Sequence, residues 1–103
     1  MATYRVLSWD GIPAQVKAKA PGSRAVSVQL DQWFTEHVDR VAMHNGQFGT
    51  DAYLEQWKWS ADSEREGEPA DVAAAVAAEL EAAWRPLRER WEQGADVLDE
   101  RAT

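Results

Sequence analysis

The sequence predicts a single α+β domain, a three-stranded antiparallel sheet followed by helices packed on one face. Three observations predict it. Residues 3–30 alternate polar and apolar side chains between two clusters of turn residues, the period-2 signature of strands. Residues 31–59 and 69–93 instead place apolar residues at spacings of three and four, the signature of helices. A chain of 103 residues, 45% hydrophobic and 28% charged, is long enough to close one core and too short for two. The expected domain therefore spans residues 1–94: sheet at 3–30, helices at 31–59, a linker at 60–68 and a helix at 69–93. An acidic tail follows at 95–103.

The elements follow in order. TYRVLSW has strand composition, and both of its faces are partly apolar, so its orientation stays open and a central position covered on both sides is compatible with it. DGIP supplies turn residues. AQVKAKA turns Gln15, Lys17 and Lys19 one way and Val16, Ala18 and Ala20 the other, completing a hairpin. After Pro21-Gly22, RAVSVQL alternates again, with Val26, Val28 and Leu30 opposed to Ala25, Ser27 and Gln29. Asp31 is a helix N-cap, Phe34, Val38, Val41 and Ala42 form the apolar stripe, Gly46 ends the helix, and Glu36 and Arg40 are spaced for an ion pair on its outer side. Thr50 offers a second N-cap. Read as a helix, DAYLEQWKW gathers Tyr53, Leu54 and Trp57 on one stripe and sends Trp59 about 200° around from Trp57. A strand would instead set Leu54 against Tyr53, Glu55, Trp57 and Trp59, so a helix is expected.

SADSEREGEP is a charged linker without periodicity, and Pro69 sits where a first helical residue belongs. Val72, Val76, Leu80, Trp84, Leu87 and Trp91 then mark one stripe of a long helix, Pro86 should kink or break it near Arg85, and Gly94 closes it. Trp84 and Trp91 are expected to be structural. ADVLDERAT is expected to fray.

The charge of −7 is unevenly placed. Residues 1–60 balance six Lys/Arg against six acids, whereas residues 61–103 set five Arg against twelve acids. A mildly basic sheet thus joins an acidic helical end, a distribution that suits a docking module better than a nucleic-acid binder. The absence of cysteine excludes disulfides, thiolate metal sites and a thiol nucleophile. No apolar run approaches a membrane span, and the N-terminus has no apolar export core, so a soluble, cytoplasmic protein without membrane contact is expected.

Chemistry-bearing residues are sparse. His37 and His44 stand seven apart, about 10 Å along a helix, too far to share one ion, and Arg40 lies between them. The serines lie in no nucleophile elbow, and the six glycines form no phosphate loop, each being placed as a turn or cap residue. No catalytic residue, metal ligand or cofactor is expected, and the chain reads as a non-enzyme. Two features point to binding. Lys17 and Lys19, with Arg5 or Arg24 on neighbouring strands, could receive a phosphate, a carboxylate or an acidic partner, although lysines also guard exposed sheet edges. Trp59 falls outside the core stripe and could anchor a partner, or fold back onto the core after Lys58. A strand followed by two helices over residues 24–59 is also the order of a ribbon-helix-helix repressor, with Ala25, Ser27 and Gln29 facing DNA. Neither helix brings the basic cluster that phosphates demand.

With WDGIPAQVKA, VSVQL and GTDAYLEQWKW in place, the chain resembles the small bacterial family called the virulence factor domain, over roughly residues 3–80. The likeness is carried by Tyr4 to Leu7, Trp9, Ile12 to Val16, the block Gly49, Thr50, Asp51, Tyr53, Leu54, Trp57 and Trp59, and the alanine-rich helix after Pro69. The part beyond Trp84 is less typical. The resemblance implies an accessory role beside one-carbon methyl transfer and supplies no catalytic residues. The resulting expectation is a non-catalytic accessory or protein-interaction module, with Trp59, Lys17, Lys19 and Arg5 as the partner-binding residues. Its expected partner is a protein, of which an enzyme of one-carbon metabolism is the candidate that the resemblance suggests. Six tryptophans in so small a chain also admit self-association. The alternatives are a ribbon-helix-helix-like DNA-binding regulator and a binder of a small anion such as a folate tail.

Overall fold

The computed structural model describes residues 1–102. Eight elements follow in order: β1 (Ala2–Trp9), β2 (Ile12–Lys19), β3 (Val26–Gln29), α1 (Gln32–His44), α2 (Asp51–Glu55), β4 (Trp57–Trp59), β5 (Ser63–Arg65) and α3 (Pro69–Glu92). The class is α+β with an antiparallel sheet, as the alternation predicts, but the sheet has five strands rather than three. Its order is β3-β2-β1-β4, and β5 pairs with β1 on the edge that β4 also uses. β1 is therefore central.

Asp10 and Gly11 both hold positive φ, 46° and 85°, which is the two-residue hairpin turn whose twist matches that of its flanking strands. The hairpin is in register from Thr3↔Lys19 to Leu7↔Gln15, and a register shift follows between Leu7 and Ser8. Leu7 is half-buried while Trp9, two residues on, is fully buried. The shift lies between them, where a bulge re-aims the chain.

The sheet is two-sided. Val16 and Ala18 are fully buried, level with Val6 and Tyr4 on β1 and with Val28 and Val26 on β3. They belong to one apolar cluster with Phe34, Val38 and Val41 of α1 and with Val72, Val76, Trp84 and Leu87 of α3. Arg5, Lys17, Lys19, Ser27 and Gln29, which alternate with these residues, are exposed.

Asp31 caps α1 by accepting from the Trp33 backbone N–H at 2.9 Å. The expected stripe is buried, together with Trp33 and His37. The expected Glu36–Arg40 ion pair does not form: Gln32 holds Glu36 at 3.0 Å, and the Arg40 guanidinium lies 4.5 Å from the centre of the Trp91 ring. Arg40 gains more by stacking on a half-buried indole than from an exposed ion pair.

The segment expected as one helix through Trp59 splits in two. α2 stops after one turn, and after Gln56 three residues pair with β1 as Trp57↔Trp9, Lys58↔Ser8 and Trp59↔Leu7. A longer helix would bond the Trp57 N–H to the Tyr53 carbonyl; here that carbonyl accepts from the Trp9 indole at 2.7 Å. Leu54 consequently faces solvent at 66% exposure instead of joining the core stripe. Thr50 occupies the N-cap position, but its hydroxyl donates to the Gln47 carbonyl rather than capping α2.

The expected linker contains β5, paired as Ala2↔Arg65 to Tyr4↔Ser63. α3 runs unbroken through Pro86. Pro86 and Ala82, whose carbonyl loses its donor, are both exposed, so water can replace the missing bond while Trp84 and Leu87 on either side of Pro86 are buried. The tail expected to fray packs back: Val97 is fully buried, and Arg101 donates to the Asp10 carbonyl at 2.8 Å and to its carboxylate at 2.9 Å.

Candidate functional site

A cleft of about 240 Å³ lies on the exposed side of the sheet. β1 supplies Thr3 and Arg5, β2 supplies Lys17 and Lys19, Ala25 precedes β3, Trp59 comes from β4, and Asp62 comes from the connection between β4 and β5. All four residues expected to bind a partner, Trp59, Lys17, Lys19 and Arg5, line it together. Arg24 does not. Lys17 is not an edge residue, because it lies between Arg5 of β1 and Ser27 of β3, so guarding an edge against aggregation does not explain it; Lys19 lies one residue beyond the end of the β2–β3 ladder and is paired on the β1 side alone.

The register explains how the residues meet. Lys19 is level with Thr3, Lys17 is level with Arg5, and Trp59 is level with Leu7. Side chains at alternate positions share a face, so residues 3, 5, 17 and 19 converge although β1 and β2 lie a hairpin apart. Trp59 joins them because β4 pairs with the other edge of β1. Trp59 is 42% exposed, whereas Trp57 is half-buried and packs against the core. The two tryptophans thus have different surroundings, and of the two readings open for Trp59 the structure shows the exposed one, on a strand rather than at a helix end.

The electrostatics are unbalanced. Arg5 and Lys17 are directly opposed across adjacent strands, an arrangement that destabilises a sheet unless something neutralises it. One internal group does so in part: Arg5 Nε donates to the Asp62 carboxylate at 2.5 Å. Among the described residues, Lys17 and Lys19 take part in no ion pair. The cleft thus carries three cations against one acid, beside an exposed aromatic ring. Such an arrangement can hold carboxylates or phosphates through charge-assisted hydrogen bonds and an apolar group against the indole.

Asp62 is the residue that sequence reasoning missed. It sits in a charged stretch without periodicity, and its approach to Arg5 depends on the pairing of β4 and β5 with β1, which no local pattern announces.

The two histidines part company. His44 is exposed, whereas His37 is fully buried and stacks on Trp33 at 4.7 Å between ring centres. Arg40 Nη2 lies 3.4 Å from its Nδ1. Burial first, then the charges of Arg40 and Arg101, pull the imidazole down from 6.5 to about 4. His37 thus serves as a neutral aromatic in the core. No group of three or more His, Cys, Asp or Glu side chains among the described residues could hold a metal ion, and no helix there is long and apolar enough to cross a membrane.

No curated protein and no solved structure matches the chain. A family match does, and it reaches past Trp84 to include the end of α3 and the buried Val97, farther than the resemblance read from the sequence. It spans residues 7–97 under the description "Virulence factor", and the chain belongs to that family.

Proposed function

We propose that the protein is a non-catalytic accessory module that docks a protein partner on the exposed face of its sheet, through Trp59, Arg5, Lys17 and Lys19. One observation carries this reading: residues from three strands converge on a single cleft and leave there an exposed tryptophan and two ammonium groups with no ion pair among the described residues, one of which, Lys17, directly opposes Arg5. Neutralising those charges would stabilise the complex, and an exposed indole is a common interface anchor. We place α1 and α3 on the opposite side of the sheet. Supporting this, Arg65 of β5, level with Ala2, reaches Glu79 of α3 at 2.7 Å, and the buried strand residues share one cluster with α1 and α3. The family resemblance adds an enzyme of one-carbon methyl transfer as the candidate partner.

The test is a variant carrying Trp59→Ala with Lys17→Glu and Lys19→Glu, compared with the parent for capture of host proteins and for melting temperature. A protein held by the parent and lost by an equally stable variant supports the reading. Retention of every captured protein by a folded variant overturns it.

The cation cluster also favours a second reading, a small-anion site such as one for a folate tail. A panel of anionic cofactors should then raise the melting temperature at millimolar concentration. DNA binding is weaker on both counts that a ribbon-helix-helix protein requires. β3 is paired within its own chain, and the second helix is a single turn. Absence of retention on random DNA at low salt would dispose of it.

A further inference from the structure

We infer that the occupant of this cleft is an extended acidic peptide segment of the pattern acidic-x-acidic-x-apolar, and that Asp62 is an internal stand-in for one of its carboxylates. The inference rests on the docking role proposed for the same face and adds the chemistry of the partner.

The spacing comes from the sheet. Lys19, the Lys17/Arg5 pair and Trp59 are level with Thr3, Arg5 and Leu7 of β1. They stand at three levels separated by two two-residue steps along the strand direction, each about 7 Å. An extended chain laid over β1 repeats its own side chains at the same interval. Its first acid meets Lys19, its second meets Lys17 and Arg5, and its apolar residue two positions on meets Trp59. Lys17 and Lys19 form one bank of the groove, and Trp59 and Asp62 form the other.

Asp62 shows that the groove accepts a carboxylate, because Arg5 already holds one. It is delivered by Ser60, Ala61 and Asp62, the short connection between β4 and β5. Ser60 is tied to β1 by its N–H to the Val6 carbonyl at 2.9 Å and by the Val6 N–H to its hydroxyl at 2.9 Å. Arg5 and Asp62 are about half exposed, at 45% and 54%, so their pair is weak and exchangeable. An internal carboxylate nevertheless competes at high effective concentration. Displacing it favours a partner with two acids in register, one for Lys17 and Arg5 and one for Lys19. Between partners, Asp62 shields Arg5 from stray anions.

The experiment is a titration of the whole protein with the capped peptide Glu-Ala-Glu-Ala-Phe. Backbone amide and indole N–H resonances would be followed beside the Gln-Ala-Gln-Ala-Phe and Glu-Glu-Ala-Ala-Phe controls and beside inorganic phosphate and citrate. The expected result is saturable shifts at Lys17, Lys19 and the Trp59 indole for the first peptide, weaker binding of both controls, and loss of binding in Lys17→Ala/Lys19→Ala. Asp62→Asn, an exposed isosteric change that should leave folding intact, should bind the peptide more tightly, up to about fivefold, the range open to an exposed ion pair. Equal or weaker binding by Asp62→Asn overturns the role of Asp62. Equal binding of the Gln peptide, or competition by citrate or phosphate at the same concentration as the peptide, overturns the acidic-peptide assignment. If no peptide binds while the surface variant of the preceding section still loses its host partner, this inference fails alone. If that partner is retained as well, the docking role fails with it.

Discussion

Trp57 and Trp59, two residues apart, have different surroundings. Trp57 packs edge-on to Tyr53 at 6.3 Å within the cluster that also holds Trp9, whereas Trp59 stands on the exposed face. Trp57→Ala should lower stability by about 3 kcal/mol or more. Trp59→Ala should leave the melting temperature nearly unchanged while weakening association with a partner by about 2 kcal/mol. Equal destabilisation by the two substitutions in a thermal melt would place the second indole in the core and remove the proposed surface. Trp84 is a clearer case, at 3% exposure and in contact with the rings of Trp33, Phe34 and His37. Its replacement by Ala should cost about 3–5 kcal/mol in denaturant unfolding. The role of Trp84 was legible in the sequence because its stripe repeats every three or four residues over about five turns. That of Trp59 was only half legible, since its exposure could be read from either a helix or a strand.

At the scale of elements, tertiary pairing overrode local pattern in two places. DAYLEQWKW has a helical stripe, yet the free edge of β1 takes its last three residues, because tryptophan suits a strand and the Trp9 indole occupies the carbonyl that would continue the helix. The acidic tail is polar on average, and nothing in its pattern marks Val97 as buried. It is held by apolar contacts of Val97, Leu98 and Ala102 with the core and by Arg101 at the Asp10 turn. Val97→Ala should therefore cost about 2 kcal/mol, and truncation after Gly94 should cost more, because it also strips Arg101 from the hairpin turn. A truncated chain with an unchanged unfolding midpoint would show the tail to be dispensable.

Across the whole molecule, the buried imidazole of His37 sets a pH response. Folded, it titrates at about 4, and unfolded near 6.5, so below 6.5 the unfolded chain binds the proton that the folded chain refuses. Stability from this group is complete above about pH 7, falls as pH drops from 6.5 towards 4, and changes no further below that. The total loss is roughly 3 kcal/mol. Burial is the larger cause of the shift and salt does not screen it, so most of the loss should persist at moderate salt, while the smaller contributions of Arg40 on the same helix and Arg101 from the C-terminal segment weaken. Unfolding followed between pH 7.5 and pH 4.5 should show this slope in the parent and not in a folded His37→Phe variant. An identical slope in the two proteins would assign the acid sensitivity to other groups.

The sequence by itself determined the class, the β1–β2 hairpin, the stripes of α1 and α3, and the side of β2 on which Lys17 and Lys19 stand. These are local properties, since burying alternate residues of a strand or every third and fourth residue of a helix leaves its period in the chain. Only the tertiary structure decided that β1 is central, that Trp57–Trp59 and Ser63–Arg65 complete the sheet, and that Asp62 faces Arg5 in one cleft with Trp59. Three-residue strands are too short to carry a period of their own. They are strands because β1 offers unpaired backbone groups some fifty residues away in sequence, and backbone hydrogen bonding across that separation leaves no mark in the order of side chains.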